Sequence, residues 1–368
     1  MERKNLNKIL AADDAAKVAS SGMDLSEKTR SASFLQQDNE ILFYQSLFKG
    51  VEILPIKEAL NEIKDIREYY GKAFKYVGKS FPEDTEGGYF IRIKKGTIVE
   101  LPIQACLFLK AQRFKQRVHN IIIVEEGAKV YLITGCSAST AAEEGFHLGI
   151  SEFYVKKGGY LNFTMIHSWK EDVSVKPMSV ALVEKDAAFV SNYVCLKPVK
   201  EIIMYPTAVL RGEGARASFN SLILSHPDTL QDIGARVILK APNTQAEVVS
   251  RAVSLGGKVI ARGHLKAEEK NNVKAHLECR GLVVSEQGTI HAVPELETDY
   301  RDVDLSHEAA IGKISEEEIE YLSSRGMSGD EAQSIIIRGF MDIDILALPE
   351  NLKKEMKVLE EKTLKGNF

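Results

Sequence analysis

Cysteine is scarce in this chain and scattered where it occurs. Cys106, Cys136, Cys195 and Cys279 are the four among 368 residues, and no two form a Cys-x-x-Cys pair. That spacing excludes a disulfide framework and a structural zinc knuckle, and each thiol reads first as a small buried apolar side chain. Tryptophan occurs once, at Trp169. No apolar run approaches the roughly 20 residues that cross a bilayer, and the opening Met1-Glu-Arg-Lys has no apolar core of the kind a signal peptide carries, so a cytoplasmic protein is expected. Basic runs interleaved with aromatics are missing too, and the formal net charge is -4. Neither nucleic acid nor a membrane surface is therefore an expected partner.

Catalytic signatures are equally absent. The chain has no Gly-x-x-x-x-Gly-Lys-Ser/Thr phosphate loop, no Gly-x-Gly-x-x-Gly after a first strand and no Gly-x-Ser-x-Gly elbow. It also lacks a His-Glu-x-x-His helix and a His-x-His pair, one or another of which a metal-dependent hydrolase or oxygenase would need.

What is present is a long stretch of strand-like texture between two regions of different character. With 44% hydrophobic and 27% charged residues the chain is globular and long enough for more than one domain. Residues 1–85 read as a helical region. Asn5 to Ser20 is alanine-rich, Ser31 to Asp38 reads as an extended or exposed connector, and Ile56, Ala59, Leu60, Ile63, Ile66 and Tyr70 recur at helical spacing before Gly71.

From residue 86 to 303 short runs of Val, Ile, Phe, Tyr and Thr alternate with charged or glycine turns. The turns Lys94-Lys-Gly96, Glu125-Glu-Gly127, Lys156-Lys-Gly158, Glu184-Lys-Asp186, Gly212-Glu-Gly214, Ala241-Pro-Asn243 and Glu269-Lys-Asn271 recur about every 28 to 31 residues. A unit that short cannot bury its own apolar face, whereas a stack of such units can. The pattern favours a mainly β fold built as a solenoid, a parallel β-helix; a jelly roll or cupin-like double sheet is the competing architecture.

Residues 304–368 return to helix. Ser315 and Glu318 form a capping box, with Ile314 placed to staple onto Ile319, and Ser328 with Glu331 repeats the device. Ala332, Ile335, Ile336 and Phe340 then share a face, and a charged tail carries Leu352, Met356 and Leu359 on one side.

At the joint between strands and helices stand His307 and Glu308. An imidazole and a carboxylate suit iron and other transition metals, but neighbours on a strand point to opposite faces, so the two could share one ion only at a bend or across an interface. A polar pair at an element boundary is the plainer explanation. His291 reads as a turn histidine. Cys279 lies three residues after His276 and hence on the other face of a strand, and Cys195 ends an alternating run as either core filler or interior thiolate.

The run from Ser306 through His307, Glu308 and Ile311-Gly-Lys313 to Arg338-Gly-Phe340 resembles the C-terminal signature of the SufB/SufD scaffold proteins of iron-sulfur cluster assembly. Asp232 to Thr244 and Ala292 to Glu297 look like two further segments of that family, and the match covers about Gly87 to Phe340. The resemblance implies a right-handed parallel β-helix flanked by helical regions. It implies pairing through the end of the β-helix, as a homodimer or a SufB/SufD-like heterodimer. It also implies a SufC ATPase bound to the C-terminal helices; Tyr321, Ile335, Ile336 and Phe340 are the candidate contact residues there, with Ile335, Ile336 and Phe340 either packing the helices down or meeting the partner. The chain itself would be a scaffold rather than an enzyme, and its cargo a transient iron-sulfur cluster.

Carried over by position, His307 matches an interface histidine and Glu308 a glutamate implicated in iron handling. The cysteine that receives sulfur would fall at about Gly288, where this chain has no thiol, and a second family cysteine lines up approximately with Cys195. Leu305 stands where SufD-type members can carry a cysteine. The Ser-His and Ile-Gly-Lys elements lean to SufD and Glu308 leans to SufB. Two roles follow: a site made from His307, Glu308 and an unshared residue such as Cys279, or an adaptor for a cysteine-bearing partner. A β-helical carbohydrate-active enzyme would need paired acids and a row of stacking aromatics, for which the chain offers little.

Overall fold

The computed structural model describes residues 9–25, 29–341 and 357. Its core is a β-solenoid of about eight turns with helices at both ends. Strands stack in parallel register 28 to 31 residues apart: Lys129 beside Tyr160, Tyr160 beside Ala188, then Arg216, Gln245, Lys274 and Asp304 in turn. Two sheets result, the first of 10 strands and the second of 11.

The recurring turns explain the period. Gly96, Gly127, Gly158 and Gly214 have φ of 67°, 67°, 62° and 71°, and Asp186, Asn243 and Asn272 take the equivalent places at 56°, 59° and 52°. Only glycine, and at some cost Asn or Asp, enters this left-handed region readily. Each turn then donates its N–H to the next: Gly127 N to Lys157 O at 2.9 Å, Gly158 N to Lys185 O at 2.9 Å, Asp186 N to Glu213 O at 2.8 Å and Gly214 N to Pro242 O at 3.0 Å. The turns are thus a hydrogen-bonded ladder of their own.

Alternate residues of each strand face the interior. Phe153, Phe163, Phe189 and Phe219 stack there, with centroid separations of 4.8 to 5.8 Å. The N-terminal end is closed. Strand Glu40–Ser46 lies antiparallel on Ala32–Gln37 at the edge of the first sheet, and Val51–Pro55 lies antiparallel on Tyr89–Ile93 at the edge of the second.

The segments outside the repeat differ from the sequence expectations. Ala32–Gln37, expected as an extended or exposed connector, is a strand whose first five residues are buried. The helical segments of this region are Ala12–Ser20, Ile56–Glu62 and Lys72–Tyr76. The single helix expected over 55–70 breaks at Ile63, which is extended (φ −102°, ψ 110°), because Ile56, Ala59 and Ile66 all reach the sheet without one continuous axis. Buried Glu152 holds the start of the next helix, Lys72–Tyr76: it accepts from Gly71 N at 2.6 Å and Ala73 N at 2.8 Å and meets His119 Nε2 at 2.8 Å.

At the other end, strand Asp304–Lys313 adds a rung where the sequence suggested the helical region had begun. Helices Glu316–Ser323 and Gly329–Met341 follow, the first with its capping box in place. Leu352, Met356 and Leu359 lie outside the described residues.

Candidate functional site

The C-terminal end of the solenoid is open. Among the described residues Thr289–Thr298 pairs only with Lys258–Ala267, and Asp304–Lys313 only with Lys274–Val283, so both sheets end in edges with no further described strand. Pro294 lies within the first of these strands, as an edge permits. Apolar side chains that would be interior in a longer stack are left in solvent: Leu296 is 40% and Ile311 44% exposed.

Register assigns each candidate its face. Phe219, Val248 and Leu277 form one inward row, all in the core, and His307 is the next member. The imidazole therefore occupies a core position that no rung among the described residues covers, and it is exposed. The neighbouring inward row runs Tyr193, Ser221, Ser250, Cys279 and Ala309. Cys279 thus shares the interior face with His307, one rung beneath and one inward step along, and is 3% exposed. Burial pushes its thiol up to about 11, so it is protonated near neutrality.

Glu308 points the other way, as the strand alternation requires. It lies in register with Glu278, and Arg280 sits against both, with Nε 2.8 Å from Glu278 and Nη2 3.9 Å from Glu308. These are exposed pairs of small energetic weight. Its face also holds His276, whose Nδ1 is 2.9 Å from Ser306 Oγ. His291 is a strand residue rather than a turn residue, in register with Ile260 and exposed.

Gly288 directly precedes the edge strand Thr289–Thr298 and is buried, and a Cβ there would come 2.4 Å from Ser254 Oγ. Cys195 lies several rungs inside, where Gln231 Nε2 is 3.4 Å from its sulfur and burial pushes the thiol up to about 12. It is core, not thiolate. Sequence reading missed that Cys136, His167 and Cys195 stack on consecutive rungs; their separations of 31 and 28 match the repeat and were the available signal. Burial keeps all three neutral. Among the described residues no group of three His, Cys, Asp or Glu converges to hold a metal ion.

The C-terminal helices divide their apolar residues between two tasks. Ile337 and Met341, 0% and 1% exposed, seat the second helix on Val194, Leu222, Leu224, Val253 and Leu282 of the first sheet's outer face, with Ile336 and Phe340 at the margin. Arg251 Nη1 adds a bond to Phe340 O at 3.3 Å. Tyr321 and Ile335 are 57% and 39% exposed. The sequence pattern had not separated these roles.

The site is thus a solenoid end with His307 and Cys279 on one interior face, and an outer wall that carries a docked helical pair. No helix among the described residues is long and apolar enough to cross a membrane. Residues 107–340 match the family model described as SUF system FeS cluster assembly, SufBD core domain. An iron-sulfur cluster assembly SufBD family protein of Archaeoglobus fulgidus is 46% identical over 348 residues, 94% of this chain and 93% of that protein. One from Methanothermobacter thermautotrophicus is 42% identical over 94% of this chain and 86% of its own length. The iron-sulfur cluster assembly protein SufB of Bacillus subtilis is 31% identical over 90% and 74%. The chain belongs to the SufBD family of iron-sulfur cluster assembly proteins.

Proposed function

We propose that this chain is a non-enzymatic scaffold subunit that pairs through the open end of its solenoid with a second SufB/SufD-type subunit, itself or a relative. A nascent iron-sulfur cluster is the cargo of that joint. The observation that carries the reading is the placement of His307 as the uncovered member of a core row, with Cys279 on the same interior face one rung below. An unpaired sheet edge with exposed Leu296 and Ile311 is a template for strand addition. One chain brings too few converging ligands to close a metal site, which a second copy or partner would supply.

In this reading His307 offers a neutral imidazole nitrogen, Cys279 a thiolate once iron displaces its proton, and Glu308 a hard oxygen on the rim. The exposed Tyr321 and Ile335 belong to the surface that meets a SufC-type ATPase, while Ile336 and Phe340 help hold that surface in place. Nucleotide-driven motion of the helical pair would reach His307 directly, because Lys313 ends its strand and Ser315 caps the first helix.

The test is co-expression with the candidate ATPase and oxygen-free purification, followed by measurement of iron, sulfide and the visible spectrum. Wild type should hold iron, and His307→Ala and Cys279→Ala should form the complex without it. A second reading, an adaptor that supports a cysteine-bearing partner, draws on the deep burial of Cys279. A complex that forms but never holds iron would favour it, and failure to form any complex would remove both.

A further inference from the structure

Among the described residues two cations at the outer face of the second sheet, Lys79 and Arg236, have no ion-pair partner. Thr207 and Arg236 are in register on adjacent strands and point outward, since their neighbours Ala208 and Val237 belong to the core. Lys79, just beyond helix Lys72–Tyr76, lies over them with Nζ 3.4 Å from Thr207 Oγ1 and 5.8 Å from the centre of the Tyr205 ring. Among the described residues neither Lys79 nor Arg236 makes an ion pair, and Arg236 Nε is buried without a hydrogen-bond partner. The nearby carboxylates serve other groups. Asp232 holds Arg262 by two bonds of 2.6 and 2.9 Å, and Glu295 acts on Tyr205 and Arg262.

Half-buried like charges are costly when nothing offsets them. Burial first, and then the field of Arg236, lower the basicity of Lys79. An ammonium, a guanidinium with an idle N–H and a hydroxyl are the donors that hold a tetrahedral anion.

The wall of the solenoid is interrupted beside them. Strands Ser174–Val175 and Met178–Val183 are separated at Pro177, and Glu201–Met204 and Thr207–Leu210 at Tyr205 and Pro206. The interior cavity behind this break is lined by both prolines, by Arg262 and by inward Ser151, Ser191, Ser221 and Ser250, and by none of Lys79, Arg236 and Thr207.

We propose that Lys79 and Arg236, with the Thr207 hydroxyl, bind a small tetrahedral oxyanion of the inorganic phosphate or sulfate class. The site is separate from the open end of the solenoid and does not depend on the reading given for it.

Thermal unfolding of the full chain in inorganic phosphate and in chloride, at matched ionic strength, tests the assignment. Phosphate stabilises folded proteins generally, so the readout is the difference between variants. Wild type and Lys185→Gln, whose partner Glu213 is on an exposed turn, should gain about 2–4 °C more from phosphate than Lys79→Gln or Arg236→Gln. In chloride Lys79→Gln should melt no lower than wild type, since it removes the uncompensated charge. Equal gains in all four proteins overturn the proposal. A gain from a phosphate monoester but not from inorganic phosphate overturns the small-anion assignment. Should Arg236→Gln fail to fold, Lys79→Gln decides alone, because its side chain is only half-buried.

Discussion

Leu277 and His307 hold the same place on adjacent strands, and where the first is fully buried the second ends the row in an exposed imidazole. A polar side chain is tolerated there because no rung lies above it. His307→Leu should therefore fold with an unchanged or slightly raised Tm. Under the proposed function it should also abolish iron retention in the purified complex. Melting and iron analysis on the same preparation would check the two halves, and a loss of folding would show that the imidazole is structural.

The two interior thiols should separate by consequence. Cys195→Ala removes a fully buried sulfur from the core and should cost about 1–3 kcal/mol, measurable by urea unfolding. Iron retention should survive it. Cys279→Ala, also a buried core thiol, should carry a stability cost of the same order but lose iron.

Within the last helix, neighbouring isoleucines should respond in opposite ways. Ile337→Asp buries a charge against Val253 and Leu282 and should unfold the helical region. Ile335→Asp and Tyr321→Ala lie on the exposed side and should leave the circular dichroism spectrum unchanged while weakening ATPase binding at least tenfold by calorimetry. Ser315→Ala removes a formed capping box and should cost about 1 kcal/mol.

Two glycines distinguish backbone strain from crowding. Gly127 has φ of 67° and open space where a methyl would stand, with no atom within 4 Å, so Gly127→Ala should cost about 1 kcal/mol and Gly127→Asn less. A methyl on Gly263 would fall 1.8 Å from Leu277 Cδ1, and Gly263→Ala should cost about 1–3 kcal/mol through the core. Urea denaturation of the three variants would rank them.

Acid should loosen the interior before it reaches the surface. Burial lowers His147 to about 3, and its Nδ1 lies 2.8 Å from Gln116 Oε1. The unfolded chain takes up this proton near pH 6.5 and the folded chain does not, so the contribution is complete above that pH and falls away towards pH 3. At about pH 4.5 the loss should be about 2–3 kcal/mol. His147→Gln should show a correspondingly smaller drop in denaturant midpoint between pH 7 and that value.

The repeat was legible because it is written in backbone chemistry. Gly96, Gly127, Gly158 and Gly214 mark turns that demand a left-handed residue, and their separation is the length of a rung whatever fills it. The capping boxes at Ser315 and Ser328 were legible for the same reason, since each is closed by residues three apart. Ala32–Gln37 was misread because nothing in its six residues announces the strand Ile103–Leu109 that buries it. The division of Ile335 from Ile337 was hidden in a run of three isoleucines, any of which could have faced the wall.

Local order along the chain was enough for the coiled ribbon of strands, its period, its turns and the helical pair that follows, because each depends on contacts between near neighbours or on an interval that repeats. Which strand comes last was not decided locally. Only stacking shows that His307 continues the Leu277 row, that Cys279 lies on its face, and that Lys79 meets Thr207 from 128 positions away. Those relations follow from register and closure, which are properties of the assembled solenoid.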